Sequence, residues 1–113
     1  MTTQEETFGT VTVVTPKGDM DITSLPAFEK RIDALIENGT RHLVWDLGHV
    51  GFLPSTVAGF LLQTARRLRA VGGRCVLAGG SAHVLGTLRT MGVLQLFPTY
   101  GGRGEALAAL EDQ

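Results

Sequence analysis

Two neighbouring hydroxyl groups, those of Ser55 and Thr56, are the side chains of this sequence best placed to carry chemistry. From Val57 onward the apolar residues follow helical spacing, so Ser55 is predicted to lie near the N-cap of a helix. A helix N-terminus presents free backbone N–H groups and the positive end of the dipole, which suits a serine and suits a phosphoserine better. Ser55 is therefore either a plain N-cap or also a phosphorylation site. Thr56 is the second candidate, and its alternative role is a first-turn hydroxyl that bonds the backbone.

Acidic side chains lie in turns that precede this helix. Asp19 and Asp21 follow a strand-like segment, but two carboxylates without His or Cys at ligand spacing are weak support for a metal site. They are predicted to stabilise the loop, cap a helix or contact a partner. Asp46, at the end of another predicted strand, is interpreted as a hydrogen-bonded turn residue. The sequence therefore predicts no catalytic residue, no metal and no cofactor.

Composition and charge exclude several classes of function. The chain has 113 residues, of which 43% are hydrophobic, enough for a core without disulfides. Ten basic and eleven acidic residues give a formal charge of −1, so no bulk attraction to nucleic acid or anionic lipid is expected. The polar N-terminus lacks the apolar region of a signal peptide, and the apolar runs are too short to span a bilayer. A cytoplasmic protein without direct membrane insertion is predicted.

The elements that position the hydroxyl pair alternate between strands and helices. Residue types and spacing predict strands at Gln4–Phe8, Thr10–Thr15, His42–Leu47, Arg74–Ala78 and Leu96–Tyr100. Helices are predicted at about Leu25–Ile36, after caps at Thr23 and Ser24, and at Ser55–Val71, Ala82–Met91 and Glu105–Leu110. This order, β-β-α-β-α-β-α-β-α, predicts an α/β fold with a mixed, mostly parallel sheet, helices packed on it, and a single domain over residues 1–113. Pro16 is expected to end the second strand or to lie at an edge.

Two side chains within these elements are candidates for the core. Cys75 lies in an apolar strand and is interpreted as a buried thiol rather than a nucleophile. Phe60 lies off the main apolar face of its helix, so it belongs either to a protein interface or to the packing beneath a neighbouring helix.

A small basic cluster lies where the second predicted helix ends and the next strand begins. It consists of Arg66, Arg67, Arg69 and Arg74. The ordinary interpretation is solvated surface charge, and contact with an acidic partner is the alternative.

Several of these segments together resemble the STAS domain family. Gly18-Asp19-Met20-Asp21 is similar to the family's G-E-L-D signature. Leu43-Val44-Trp45-Asp46-Leu47 and Phe52-Leu53-Pro54-Ser55-Thr56-Val57-Ala58-Gly59 resemble the family's L-V-L-D-L and F-L-D-S-S-G-L-G segments. Later matches are Gly72–Gly79 and Met91–Phe97, and the similarity runs from about Thr10 to Leu110. By length, the chain is most similar to the single-domain anti-sigma factor antagonists of this family.

The resemblance implies a partner switch. The unphosphorylated domain would bind an anti-sigma factor that is also a serine kinase with an ATPase-type fold, which releases the sigma factor. Phosphorylation of a serine at the helix start would then dissociate the complex. By alignment the acceptor is Ser55, and the partner-binding positions are Asp19, Asp21, Pro54, Ser55, Thr56 and Val57. The chain differs from the family pattern at Pro54, where the family has aspartate, and at Val57, where it has glycine.

A second function is compatible with the same residues, and a third is not expected. The chain could be a STAS interaction module that is not phosphorylated, such as a signalling scaffold or an accessory subunit of a phospholipid-transport ATPase. An enzyme is not expected, because no nucleophile–base pair is evident in the sequence. A weak homo-oligomer is compatible with every one of these interpretations.

Overall fold

The computed structural model describes residues 2–111 and contains one five-stranded sheet. The ends of the predicted domain, Met1 and residues 112–113, lie outside the described residues. The strands are β1 (Thr2–Phe8), β2 (Val11–Lys17), β3 (His42–Asp46), β4 (Arg74–Ala78) and β5 (Thr99–Tyr100). They lie side by side in chain order, with β1 antiparallel to β2 and the other pairs parallel. The predicted mixed, mostly parallel sheet is therefore confirmed.

Helices cover both faces of this sheet. They are α1 (Leu25–Glu37), α2 (Ser55–Ala70), α3 (Ala82–Thr90) and α4 (Arg103–Glu111), with short 3₁₀ turns at Ile22–Ser24 and Leu94–Leu96. Buried residues of α1, α2 and α3 share one core cluster, whereas Ala106 and Leu110 of α4 pack with strand residues in a second cluster. The sheet therefore separates two apolar layers, and the start of α2 lies on the three-helix side.

An aromatic group forms the centre of the larger core. Trp45 of β3 is fully buried, and its ring centroid lies 5.9 Å from that of Phe28 and 6.0 Å from that of Phe60. Phe60 is only 7% exposed, so it packs beneath α1 and does not form an open interface. Cys75 is likewise buried, and burial raises the pKa of its thiol to about 12, as expected for an unreactive core cysteine.

Two local expectations need correction. Pro16 does not end β2, because the strand continues to Lys17 through its pairing with β1. The other alternative agrees locally, since the pairing with β3 stops at Val14 and leaves Pro16 without a partner strand on that side. Thr23 and Ser24 do not cap α1 with their hydroxyl groups, which both donate to Asp21 instead.

Among the helices of residues 2–111, none combines the length and the apolar character that a membrane crossing requires.

Candidate functional site

The segment between β3 and α2, residues 47–54, is called the acceptor loop. Leu47, Val50 and Leu53 point into the core and are at most 3% exposed, whereas His49 and Phe52 are exposed. Buried side chains at every third residue hold this irregular segment close to the sheet. They fix the position at which α2 begins.

A second segment, residues 18–21, runs beside the acceptor loop and is called the acidic loop. The N–H of Gly18 donates to the carbonyl of His49 at 3.0 Å, and the N–H of Met20 donates to that of Phe52 at 3.2 Å. Met20 is fully buried, which anchors the acidic loop as well. The structure thus brings the predicted site residues on both loops to one end of the sheet.

Ser55 is the first residue of α2, and it is exposed. The N-cap position is taken by Pro54, with φ −75° and ψ 164°, whose side chain cannot accept a hydrogen bond. The expectation that Ser55 is a plain N-cap is therefore wrong. Within residues 2–111 the Ser55 hydroxyl makes no hydrogen bond, and no side chain caps the first turn of α2. The Ser55 hydroxyl therefore remains open to solvent. The N–H groups of the first turn lack a side-chain acceptor, and that of Val57 donates to the carbonyl of Pro54 at 3.0 Å.

The residues next to Ser55 differ in exposure. Thr56 is exposed and Pro54 is half-buried, so both lie on the surface together with Ser55. Val57 is fully buried in the core cluster. Its predicted place among the partner-binding residues is corrected, because its side chain is not available to a partner.

Asp21 organises the turn that leads into α1. Its Oδ1 accepts hydrogen bonds from the hydroxyl of Thr23 at 2.5 Å and from the N–H and hydroxyl of Ser24, both at 3.1 Å. The hydrogen bond from Thr23, followed by that from Ser24, lowers the pKa of Asp21 below its ordinary value. Asp21 is therefore a capping carboxylate, which agrees with one of the roles predicted for it.

Asp19 faces the acceptor loop. A Cβ on Gly51 would lie 2.8 Å from Oδ1 of Asp19, so the carboxylate approaches this backbone more closely than a side chain there would allow. Asp19 is exposed and, within the described residues, has no ion-pair partner. A free negative charge thus lies beside the segment that leads to Ser55.

Two exposed apolar side chains flank the site, and neither was predicted from the sequence. Ile22, which follows Asp21, is 60% exposed, and Phe52 in the acceptor loop is 52% exposed. The hydrogen bond from the N–H of Met20 to the carbonyl of Phe52 joins the acceptor loop to the acidic loop, which ends directly before Ile22. Exposed apolar side chains held on ordered loops are typical of protein-binding surfaces.

Asp46 fixes the beginning of the acceptor loop. Its Oδ1 accepts a hydrogen bond from the N–H of Gly48 at 3.1 Å, as predicted for a turn residue. Its Oδ2 accepts one from Nε of Arg103 in α4 at 3.2 Å, a contact that was not predicted.

Among residues 2–111, no three His, Cys, Asp or Glu side chains are grouped closely enough to hold a metal ion. The site consists instead of an exposed hydroxyl, an exposed carboxylate and apolar side chains, which are groups suited to contact with another protein.

This fold and the sequence together define the class of protein. The chain matches the STAS domain family over residues 2–106 and belongs to that family. It is 30% identical over 95 residues to BtrV of Bordetella bronchiseptica, a candidate anti-sigma factor antagonist, with 84% of this chain and 82% of BtrV covered.

Solved structures agree with this assignment. An anti-sigma factor antagonist from Mycobacterium paratuberculosis is 28% identical, with a TM-score of 0.86 over 97% of this chain and 93% of that one. The anti-sigma factor antagonist SpoIIAA in its unphosphorylated form has a TM-score of 0.88 at 23% identity, over 99% of this chain and 98% of that one, which shows the same fold. STAS anti-sigma factor antagonists are regulators and not enzymes, which agrees with the prediction made from the sequence.

Proposed function

We propose that this chain is a cytoplasmic anti-sigma factor antagonist, a single STAS domain whose partner binding is controlled by phosphorylation of Ser55. The observation that carries the proposal is the exposed, uncapped position of Ser55. It is exposed, it is the first residue of α2, and its hydroxyl serves no capping role in the described residues. A serine that merely stabilised the helix would be expected to cap it.

The relatives support this assignment. Two relatives, at 30% and 28% sequence identity, are named as anti-sigma factor antagonists. SpoIIAA, a Bacillus protein of the same fold, has been solved in a phosphorylated as well as an unphosphorylated form. Phosphorylation is therefore compatible with this fold, which supports our assignment of a phosphorylation site to Ser55 in this chain.

A phosphoryl group on Ser55 is compatible with the folded domain. It would add about −1.5 to −2 charge at the positive end of α2, where N–H groups lack a side-chain cap. The group would thus be tolerated within the domain itself. The same charge would be unfavourable within an apolar or acidic contact with a partner, so phosphorylation would act on binding rather than on folding.

The departures from the family pattern do not oppose this role. Val57 directs its side chain into the core, so it does not obstruct the surface around Ser55. Pro54 is the N-cap and adopts an extended conformation, which leaves Ser55 and Thr56 on the surface. The acceptor thus stays accessible even though a carboxylate is missing beside it.

The proposed partner is an anti-sigma factor that is also a serine kinase with an ATPase-type fold. ATP and the catalytic residues would come from the kinase, and this chain would supply the hydroxyl and its position. We assign the contact surface to Asp19, Ile22, Phe52 and residues 54–56, of which Pro54 is half-buried. Asp21 contributes by holding the turn that presents Ile22.

Phosphorylation can be tested by intact mass. The protein is incubated with ATP and the anti-sigma factor kinase of its source organism, alongside Ser55→Ala and Thr56→Ala. We expect one added phosphoryl group on the wild type and on Thr56→Ala, and none on Ser55→Ala. An unmodified wild type that still binds the kinase would instead identify a STAS interaction module that is not phosphorylated.

A further inference from the structure

A second surface feature lies at the opposite end of α2 from Ser55. A cavity of about 240 Å³ is lined by Arg69, Gly73, Arg74, Cys75 and Pro98. Arg69 follows Ser55 by 14 residues in the same helix, which places it about 21 Å away along the axis. The cavity is therefore separate from the site described above.

Both arginines of this cavity are held by the fold. Nη2 of Arg69 donates a hydrogen bond to the carbonyl of Leu96 at 3.1 Å. The backbone N–H of Arg74 lies 3.2 Å from the carbonyl of Arg41 and 3.1 Å from Nδ1 of His42. The contact with Leu96 reduces the conformational freedom of the Arg69 side chain that a ligand would otherwise have to remove, whereas the contacts of Arg74 fix its backbone only.

Gly73 sets the position of the cavity wall. A Cβ at this residue would lie 1.6 Å from the carbonyl oxygen of Arg41, so only glycine allows the chain to pass here. Its N–H donates to the carbonyl of Leu68 at 2.7 Å. The end of α2 and the start of β4 are thereby fixed relative to each other, together with the arginine that each contributes.

The positive charge of the cavity is not neutralised by the described residues. Arg31, Arg67 and Arg103 each form an ion pair with a carboxylate. In contrast, neither Arg69 nor Arg74 does so within residues 2–111. Cys75 is neutral, since burial raises the pKa of its thiol to about 12. Two guanidinium groups therefore line one cavity without a counter-charge.

We propose that this cavity binds a phosphate-type oxyanion through Arg69 and Arg74. Guanidinium groups donate pairs of hydrogen bonds that match the oxygens of phosphate, and they remain charged at any physiological pH. The ligand is a free phosphate or the phosphate of a larger molecule such as a lipid headgroup. The proposal does not depend on the phosphorylation of Ser55.

The test is a titration with sodium phosphate at constant ionic strength, followed by the backbone amide NMR signals. We expect saturable shifts at residues 73–75 and none at residues 54–56. Arg69→Gln and Arg74→Gln should each weaken binding about tenfold, because each removes a charged donor. Arg66→Gln, an exposed position of the same helix that does not line the cavity, should bind like the wild type. Dispersed spectra of all variants establish that they are folded.

A second experiment identifies the source of the phosphate. The protein is sedimented with phosphatidylcholine vesicles with and without phosphatidic acid. Binding of inorganic phosphate alone supports a free anion, and co-sedimentation lost in both arginine variants supports a lipid headgroup. The proposal is overturned if no vesicle binding is seen and the NMR shifts either fail to saturate or persist in the variant that carries both Arg69→Gln and Arg74→Gln.

Discussion

The guanidinium of Arg103 in α4 and the carboxylate of Asp46 at the end of β3 meet at 3.2 Å between Nε and Oδ2. Arg103 also donates to Glu6 of β1 and Thr15 of β2, so one side chain joins α4 to three strands. Asp46 in turn holds Gly48 at the start of the acceptor loop. The C-terminal helix is thereby connected to the loop that leads to Ser55.

Replacement of Arg103 by Gln should lower the free energy of unfolding by about 1 kcal/mol, since the pairs are partly exposed and partly screened by solvent. Urea denaturation measures the change. Arg66→Gln is the control and should be neutral, because Arg66 is exposed and makes no hydrogen bond or ion pair among the described residues. Equal midpoints for the two variants would show that the Arg103 contacts contribute nothing.

Phe60 and Phe52 provide a matched pair that separates folding from binding. Phe60→Ala removes a buried ring from the contacts with Phe28 and Trp45, and it should cost about 3–5 kcal/mol. Phe52→Ala changes an exposed ring and should alter stability by less than about 0.5 kcal/mol. It should nevertheless weaken binding of the anti-sigma factor about tenfold. Denaturation and calorimetric titration give the two quantities, and unchanged binding by Phe52→Ala would remove Phe52 from the proposed surface.

Gly51→Ala tests the position of the Asp19 carboxylate. The new methyl group must displace Oδ1 of Asp19, which can move into solvent, so we expect weaker partner binding with little loss of stability. Gly86→Ala is the control, because a Cβ at this position in α3 meets nothing within 4 Å. It should leave binding unchanged and raise stability by up to about 1 kcal/mol. Partner affinities that are the same in both variants would show that Asp19 takes no part in recognition.

The pKa of Asp21 predicts a pH dependence of stability. This pKa is lower in the folded protein than the ordinary value of about 3.9, so the unfolded chain takes up the proton first as the pH falls. The stabilising contribution is present above about pH 4 and is lost as the pH falls through the lowered pKa of the folded state. Asp21→Asn lacks the charge, so its difference in urea midpoint from the wild type should be constant near pH 7 and shrink below pH 4. If the difference in urea midpoint between wild type and Asp21→Asn is the same near pH 7 and below pH 4, this role of Asp21 is contradicted.

The order and type of the main elements could be predicted because apolar periodicity reflects which side of an element is buried. The strand at Arg74–Ala78 agrees at both ends, and the predicted start of α2 at Ser55 is also correct. The capping role of Asp21 was only one of several open possibilities, because residues of the following turn compete to be the cap. The exposure of Ile22 and Phe52 could not be predicted, since irregular loops have no periodicity. The contact between Arg103 and Asp46 joins residues 57 positions apart, and only the folded sheet brings them together.

The central claim is that negative charge on Ser55 controls binding of the anti-sigma factor, and calorimetric titration of that partner tests it most directly. Ser55→Ala should bind like the wild type, whereas Ser55→Asp should bind about 100-fold more weakly because a charge is buried in the contact. Gln63→Glu is the control, since it adds the same charge at an exposed position about two turns later in α2, and it should bind normally. If Ser55→Asp binds as tightly as Ser55→Ala, the account is contradicted.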